Sequence, residues 1–318
     1  MEIRNLGRSG LRVSVVGLGC NNFGWRIELE PARKVVHRAL DLGITLFDTA
    51  DMYGDGQSEE MLGETLGPRR KDIVLATKFA AAFSGVSGGP FGSRTYILSA
   101  VEASLRRLKT DWIDLYQYHW ADPRTPMEET LRALDDLIRQ GKVRYVGLSN
   151  HPAWRVADAQ WLARQNGLNA FIACQDEYSL LVRDAERELI PAMNAFGLGL
   201  LPYFPLASGL LTGKYAKGAA LPADARFASQ SMAGLGKRYM TEANWAAVDR
   251  LQVFCNQRGH KLLELAFSWL AANPIVGSVI AGATRPEQID ENVKAAGWAL
   301  SAEDLAEVDG LTGKGKQG

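Results

Sequence analysis

The chain has no excess of charge of either sign. Its 318 residues carry 36 Lys and Arg against 36 Asp and Glu. Nucleic-acid binding requires a clustered basic surplus. The longest basic run, Arg69-Arg70-Lys71, falls between a helical and a strand pattern, where charge is expected to be solvated. No nucleic-acid partner is therefore expected. Cysteine is scarce: Cys20, Cys174 and Cys255 are odd in number and far apart, which argues against a disulfide framework or a CxxC site and fits a reducing cytoplasm. Long apolar runs are missing too. "LLELAFSWLAAN" is too short to span a bilayer, and Met1 to Leu11 lacks the apolar core of a signal peptide. The expectation is a soluble, cytoplasmic protein with no membrane partner. His37, His151 and His260 show no HExxH spacing, so no metal is expected. "VGLGCNNFG" lacks the GxGxxG spacing of a dinucleotide-binding turn, and its glycines read as tight packing.

What the chain does contain is alternation. Eight short β-type runs recur: Val15–Leu18, Ile44–Phe47, Ile73–Thr77, Trp112–Tyr118, Val143–Leu148, Phe171–Cys174, Gly199–Tyr203 and Gly277–Ile280. Helical patterns separate them. In "PARKVVHRALDL", Val35, Val36, Ala39 and Leu40 share a face and Pro31 suits the first turn. In "MEETLRALDDLIRQGK", Leu131, Leu134 and Ile138 do the same, and Gly141 is placed to end the helix. Crossovers of this length force parallel pairing. Eight such units without a dividing linker predict one α/β domain over residues 1–318, a (β/α)8 TIM barrel. A doubly wound open sheet is the rival. "MEIRNLGRSGLRV" predicts an N-terminal β-hairpin, turning at Ser9-Gly10, that closes the barrel floor. Two long post-strand segments, Ala81–Ser93 and Leu206–Met240, are expected on the catalytic face.

Strand ends of such a barrel aim side chains at one mouth. They are Asp48, Lys78, His119, Ser149 with Asn150, Gln175 and Tyr203, with Tyr53 in the loop after Asp48. Each alone reads more simply as a cap, a surface group or a satisfied polar residue. Together they suggest proton chemistry. An ammonium beside a phenol favours the phenolate, and a carboxylate can neutralise that ammonium in a dry pocket. With a histidine donor added, such groups could surround a carbonyl turning into an alkoxide. The same residues leave open a lyase or aldolase using Lys78 as a Schiff base. Asp51 reads as a turn residue, Ser58 as the cap of the next helix with Glu59 and Glu60 in its first turn, and His151 as a pocket-border or capping residue in "NHPAW".

The motifs "FDTADMYG", "VLATKF", "DLYQYH", "RYVGLSN", "LLTGKY" and "RPEQIDEN", in this order, resemble the aldo-keto reductases over nearly the whole chain. The resemblance implies a (β/α)8 barrel that reduces aldehydes and ketones with NAD(P)H bound extended, without a Rossmann domain. It places the catalytic tetrad on Asp48, Tyr53, Lys78 and His119, with Tyr53 as the general acid. It places the nicotinamide carboxamide against Ser149, Asn150 and Gln175, and its ring against Tyr203. Leu206, Ser208, Leu210 and Lys214 would follow the pyrophosphate, with Arg226 folding over it. Gly282, Thr284, Arg285, Gln288, Glu291 and Asn292 would surround the adenosine end. Gln288 stands where a related branch has an Arg for the 2′-phosphate, yet Arg285 and Lys214 can supply positive charge, so NADPH is expected over NADH. Substrate walls are expected from Asn22, Phe23, Trp25, Phe79 and Trp120, around a small-molecule carbonyl substrate. A module that senses NADP(H) without catalysis, as in channel-associated relatives, is the other reading of this resemblance.

Overall fold

The structure is a computed structural model that describes residues 1–80, 89–215 and 233–313. A short antiparallel hairpin comes first, β1 (Ile3–Asn5) with β2 (Arg12–Ser14). Eight parallel strands follow: β3 (Val16–Gly19), β4 (Leu46–Asp48), β5 (Val74–Phe79), β6 (Ile113–Tyr118), β7 (Val143–Ser149), β8 (Ala173–Glu177), β9 (Gly199–Tyr203) and β10 (Val279–Gly282). They form one sheet in the order β10-β3-β4-β5-β6-β7-β8-β9. The sheet curls back on itself just before β10. There the Leu200 N–H donates to the Ile275 carbonyl at 2.7 Å, and the Gly277 N–H donates to the Leu200 carbonyl at 2.9 Å. This is the expected (β/α)8 barrel, and each strand lies within a few residues of its sequence pattern.

The helices are α1 (Leu29–Asp41), α2 (Gln57–Leu66), α3 (Arg94–Leu108), α4 (Met127–Arg139), α5 (Ala153–Asn166), α6 (Leu189–Phe196), α7 (Ala233–Tyr239), α8 (Glu242–Gln257), α9 (Leu262–Ala272), α10 (Pro286–Ala295) and α11 (Ala302–Leu311). Helix α1 buries Val35, Val36, Ala39 and Leu40, the face its spacing predicts. Helix α4 buries Leu131 and Leu134, and Gly141 follows its end at φ +76°, a conformation other residues resist. Helices α2 and α3 touch through Gly63, where a Cβ would stand 2.4 Å from the Arg107 carbonyl oxygen.

Two cores result. The larger lies between strands and helices. The smaller fills the barrel with Leu46, Val74, Ala76, Leu115, Ala173, Leu201 and Ile280, and the hairpin plugs it from below with Leu6, Leu11 and Val13. The hairpin is as expected, but its connection is longer than a two-residue turn. The Leu6 N–H donates to the Leu11 carbonyl at 2.8 Å, and Gly7 takes positive φ against the barrel floor.

Three local readings change. Arg70 is not solvated: it is buried, paired with Asp114 at 2.7 Å and laid over Trp112. Ser58 is not a cap, because Gly56 precedes α2. Instead its hydroxyl donates to the Cys20 carbonyl at 2.9 Å and meets the Thr49 hydroxyl at 2.8 Å. Asp51 lies in the turn after β4 but is buried, its backbone N–H bonded to the Lys78 carbonyl at 3.2 Å.

Candidate active site

Strand alternation builds the site. Side chains two apart face the same side, so the inward row that is Leu46, Val74 and Ala76 below becomes Asp48 and Lys78 above. Leu115 is likewise followed by Gln117 and then His119, and Ala173 by Gln175. The lower layers are apolar and the upper one polar. Gly147 leaves room for this layer, since a Cβ there would meet Gln117 Cγ at 3.2 Å.

Lys78 sits at the centre, wholly buried. Its Nζ donates to Asp48 Oδ2 at 2.7 Å, to the Thr49 carbonyl at 2.8 Å and to the Tyr53 hydroxyl oxygen at 3.3 Å. Asp48 Oδ1 in turn accepts from Gln175 at 2.8 Å and Gln117 at 3.1 Å. The carboxylate is thus satisfied on both oxygens, as a buried charge must be. His119 places its ring edge-on to Tyr53, centroids 6.1 Å apart. Nearby, Asn150 holds φ +57°, donates to the His119 carbonyl at 3.1 Å and to Ser149 Oγ at 2.9 Å, and accepts from the Tyr203 hydroxyl at 2.8 Å.

Burial opposes charge on Lys78, but Asp48 and Tyr53 outweigh it, and the ammonium is held above its ordinary range. Burial also raises the Tyr53 phenol; Lys78 pulls it down without cancelling that rise. The expectation that Lys78 would leave the phenol more acidic than usual is not met, because burial outweighs the ammonium. His119 is pushed well below its ordinary value by burial and then by Lys78, so it is a neutral imidazole at neutral pH.

A cleft of ≈ 710 Å³ opens over this cluster and runs along the barrel mouth to the N-terminus of α10. Asp48, Tyr53 and His119 line it, and Lys78 lies directly beneath. Ser149, Asn150, Gln175, Tyr203, Leu206, Ser208 and Lys214 line one stretch; Gly282, Thr284, Arg285, Gln288, Glu291 and Asn292 line the far end. Gln288 accepts from the Thr284 N–H at 2.8 Å, so it secures the loop into α10. Asn22 and Trp120 also line the cleft.

Four expected residues do not reach it. Phe79 follows the inward Lys78 and so faces outward, stacked on Tyr118 with centroids 5.2 Å apart. Phe23 is fully buried in the outer core, as is Leu210 beneath the 3-10 turn Ala207–Thr212. Trp25 is exposed away from the cleft. Arg226 lies outside the described residues, as do most of 81–93 and the middle of 206–240. The cleft also contains residues the sequence did not single out: Arg26, Met52, Glu177 and Arg238. Gln117, the second amide on Asp48, was missed although it stands in β6 only two residues before His119. Period-two alternation points to it once the span of β6 is known.

A buried ammonium joined to a carboxylate and a phenol lies at the C-terminal mouth of a parallel (β/α)8 barrel, the face on which barrel enzymes carry their active sites. The chain belongs to the aldo/keto reductase family, whose model matches residues 15–312. It is 39% identical over 300 residues to a probable voltage-gated potassium channel subunit beta of Oryza sativa, covering 93% of this chain and 91% of that one. It is 36% identical to the L-glyceraldehyde 3-phosphate reductase of Escherichia coli, covering 97% and 92%. It is 33% identical to the versiconal hemiacetal acetate reductase of Aspergillus parasiticus, covering 96% and 95%. Membership makes it an NAD(P)H-dependent oxidoreductase acting on small carbonyl compounds. Among the described residues no helix is long and apolar enough to cross a membrane, and no cluster of His, Cys, Asp and Glu could hold a metal.

Proposed function

We propose that the protein reduces an aldehyde or ketone, a sugar or other small carbonyl metabolite, to the alcohol with NADPH, and that Tyr53 donates the proton. The single observation that carries this reading is the Lys78 ammonium donating to the Tyr53 oxygen at 3.3 Å while anchored on Asp48 at 2.7 Å. A phenol oxygen that accepts from Lys78 is left to direct its own proton into the cleft. An alkoxide is far more basic than a phenolate, so the transfer runs downhill even from a phenol raised by burial, and the ammonium then steadies the phenolate left behind. Neutral His119 orients the carbonyl oxygen by hydrogen bonding, without adding charge.

The cleft suits a nicotinamide dinucleotide. Ser208 Oγ is buried without a partner, and Ala207, Ser208 and Gly209 all take positive φ, which turns backbone toward the cleft beside exposed Lys214. Such a turn with a cation suits a pyrophosphate, and the N-terminus of the ten-residue α10, with Arg285 at its N-cap, adds a second anion-favouring end. The cofactor supplies the hydride. Ser149, Asn150 and Gln175 would bind its carboxamide, Tyr203 its ring, and Arg285 with Lys214 the 2′-phosphate. We read the chain as one barrel domain of the cytoplasm, its three cysteines all free and buried.

The lyase alternative needs a neutral, accessible amine, whereas Lys78 is wholly buried and held charged by Asp48. The sensing alternative draws on the name of the rice relative; a neatly anchored proton donor favours catalysis over it. NADPH absorbance with a panel of aldehydes, ketones and sugars tests the proposal. Tyr53→Phe should quench its fluorescence with NADPH like the wild type yet lose ~10²–10⁴-fold in rate. Retention of most of the rate would refute the donor assignment. Arg285→Ala should weaken NADPH much more than NADH; equal wild-type affinities for the two would refute the cofactor preference.

A further inference from the structure

Helix α5 turns an aromatic side to solvent. Its buried residues, Val156, Ala159, Gln160 and Ala163, face the barrel. On the opposite side, four exposed residues fall on one stripe at helical spacing: Trp154, Asp158, Trp161 and Gln165. Trp154 is 66% exposed and Trp161 56%, which makes them the two most exposed large hydrophobic residues among those described. A single exposed tryptophan needs no explanation, whereas a contiguous apolar patch marks an interaction surface. The neighbouring helix α6 extends the patch. It contains no charged residue, and its exposed positions are Pro191, Asn194 and Ala195. Phe196 supports Trp161 edge-on, ring centroids 5.8 Å apart. Trp161 is thereby braced, so less side-chain freedom is lost when it is covered.

Charge identifies what covers the patch. Asp158 and Arg164 are both exposed, one three residues before Trp161 and the other three after it. Among the described residues neither has an ion-pair partner, and Arg164 lies only over the Trp161 ring, at 5.3 Å. A two-fold axis maps a surface onto itself, so the positions it exchanges must carry complementary groups. When two α5 helices lie antiparallel with the axis at Trp161, Asp158 of each copy faces Arg164 of the other. The same operation sets Trp161 on Trp161 and Ala157 on Gln165. Trp and Arg are also the residues in which interface cores are enriched. A lipid surface matches less well, because the stripe carries an acid between its tryptophans and no basic excess.

We infer that the outer face of α5 and α6 is a two-fold self-association surface whose partner is a second copy of this chain. Trp161 lies on the axis, and Asp158 and Arg164 form two reciprocal ion pairs across it. Trp154, two turns from the axis, carries the apolar contact toward the far end of the second copy's helix. The inference does not depend on the reaction proposed for the cleft.

Sedimentation velocity of the full chain over a dilution series tests this. The wild type should move reversibly toward twice the 34.8 kDa chain mass as its concentration rises to about 100 µM. Asp158→Arg and Arg164→Asp each set like charges opposite one another, so each should weaken association about tenfold or more. Mixed in equal amounts, the two variants should associate with each other, because each supplies the charge the other's surface now needs. Far-UV circular dichroism checks that both are folded, as substitutions at exposed positions should be. A wild type that stays monomeric throughout would overturn the assignment, and that is also the result if a different protein covers the patch. Association unchanged in both variants, or no recovery in their mixture, would overturn it too. The wild-type series needs no variant, so it bears on the inference even if one of them does not fold.

Discussion

Replacing Asp48 by Asn strips the counter-charge from Lys78 while keeping the shape of the side chain and one acceptor for the two glutamines. Lys78 is 0% exposed and its partner lies 2.7 Å away, so the variant strands a buried ammonium. Breaking a buried pair from one side costs ~3–5 kcal/mol. The lysine can instead release its proton, and that sets a ceiling on the cost. An unfolded lysine titrates near ~10.4 and each unit is worth ~1.36 kcal/mol, so release costs about 4.6 kcal/mol near pH 7 but only about 1.9 near pH 9. In the wild type the Lys78 pKa is raised, since Asp48 and Tyr53 outweigh burial. Its contribution is therefore complete below the unfolded pKa and is lost only as pH rises through the folded value. In Asp48→Asn the folded pKa is depressed, the unfolded chain binds more protons, and stability rises with pH. The gap between the two proteins should thus narrow from about 3–4.6 kcal/mol near pH 7 to about 2 near pH 9. Urea unfolding read by tryptophan fluorescence and far-UV circular dichroism measures it, coincident transitions serving as the two-state check. A gap below about 1 kcal/mol near pH 7, the scale of an exposed pair, would refute the reasoning. So would a gap that stays constant with pH.

Three further outcomes follow from the geometry. Burial holds His151 down at about 4, with its bond to the Ser149 carbonyl only partly opposing. The stability it contributes is present above the unfolded value of ~6.5 and is lost as pH falls toward the folded one, so His151→Gln should remove up to about 3 kcal/mol of acid-side loss. Parallel pH–stability curves for the two proteins would count against this. Gly63→Ala should destabilise by about 1–3 kcal/mol, because the new methyl meets the Arg107 carbonyl and helix α3 must move away; an unchanged urea midpoint would contradict it. His119 is neutral through the physiological range, so kcat/KM for carbonyl reduction should show no inflection near ~6.5. An inflection there that disappears in His119→Gln would show that the imidazole titrates after all.

The barrel was legible because its two periodicities are local. Val35, Val36, Ala39 and Leu40 share a helix face by spacing alone, and the eight apolar runs could be read as strands because little else interrupts them. The cluster at the barrel mouth was legible for a related reason: strand ends of one barrel converge whatever lies between them, so Asp48, Lys78 and His119 meet although they are far apart in sequence. Side-chain direction at those ends was harder. Phe79 follows Lys78 and therefore faces the outer core, while Gln117 precedes His119 by two and therefore faces Asp48; both follow from alternation only once the strand's exact span is known. Ser58 and Arg70 were misread because a cap and a surface charge are judged from neighbours in sequence, whereas their partners, the Cys20 carbonyl just after β3 and Asp114 in β6, are distant in sequence.

The sequence by itself thus determined the fold, the four groups at the barrel mouth and the family, since each rests on residue types at fixed local spacings. Only the tertiary structure decided the charge states. Whether Tyr53 is made more or less acidic depends on how completely water is excluded relative to how closely Lys78 approaches, and burial outweighs the ammonium. It also decided that His151, which could have capped a helix or bordered the cleft, is instead buried, with its ring packed on Tyr118 and its Nδ1–H on the Ser149 carbonyl at 2.7 Å. Both outcomes depend on distances and on enclosure by several elements at once, which no single stretch of chain encodes.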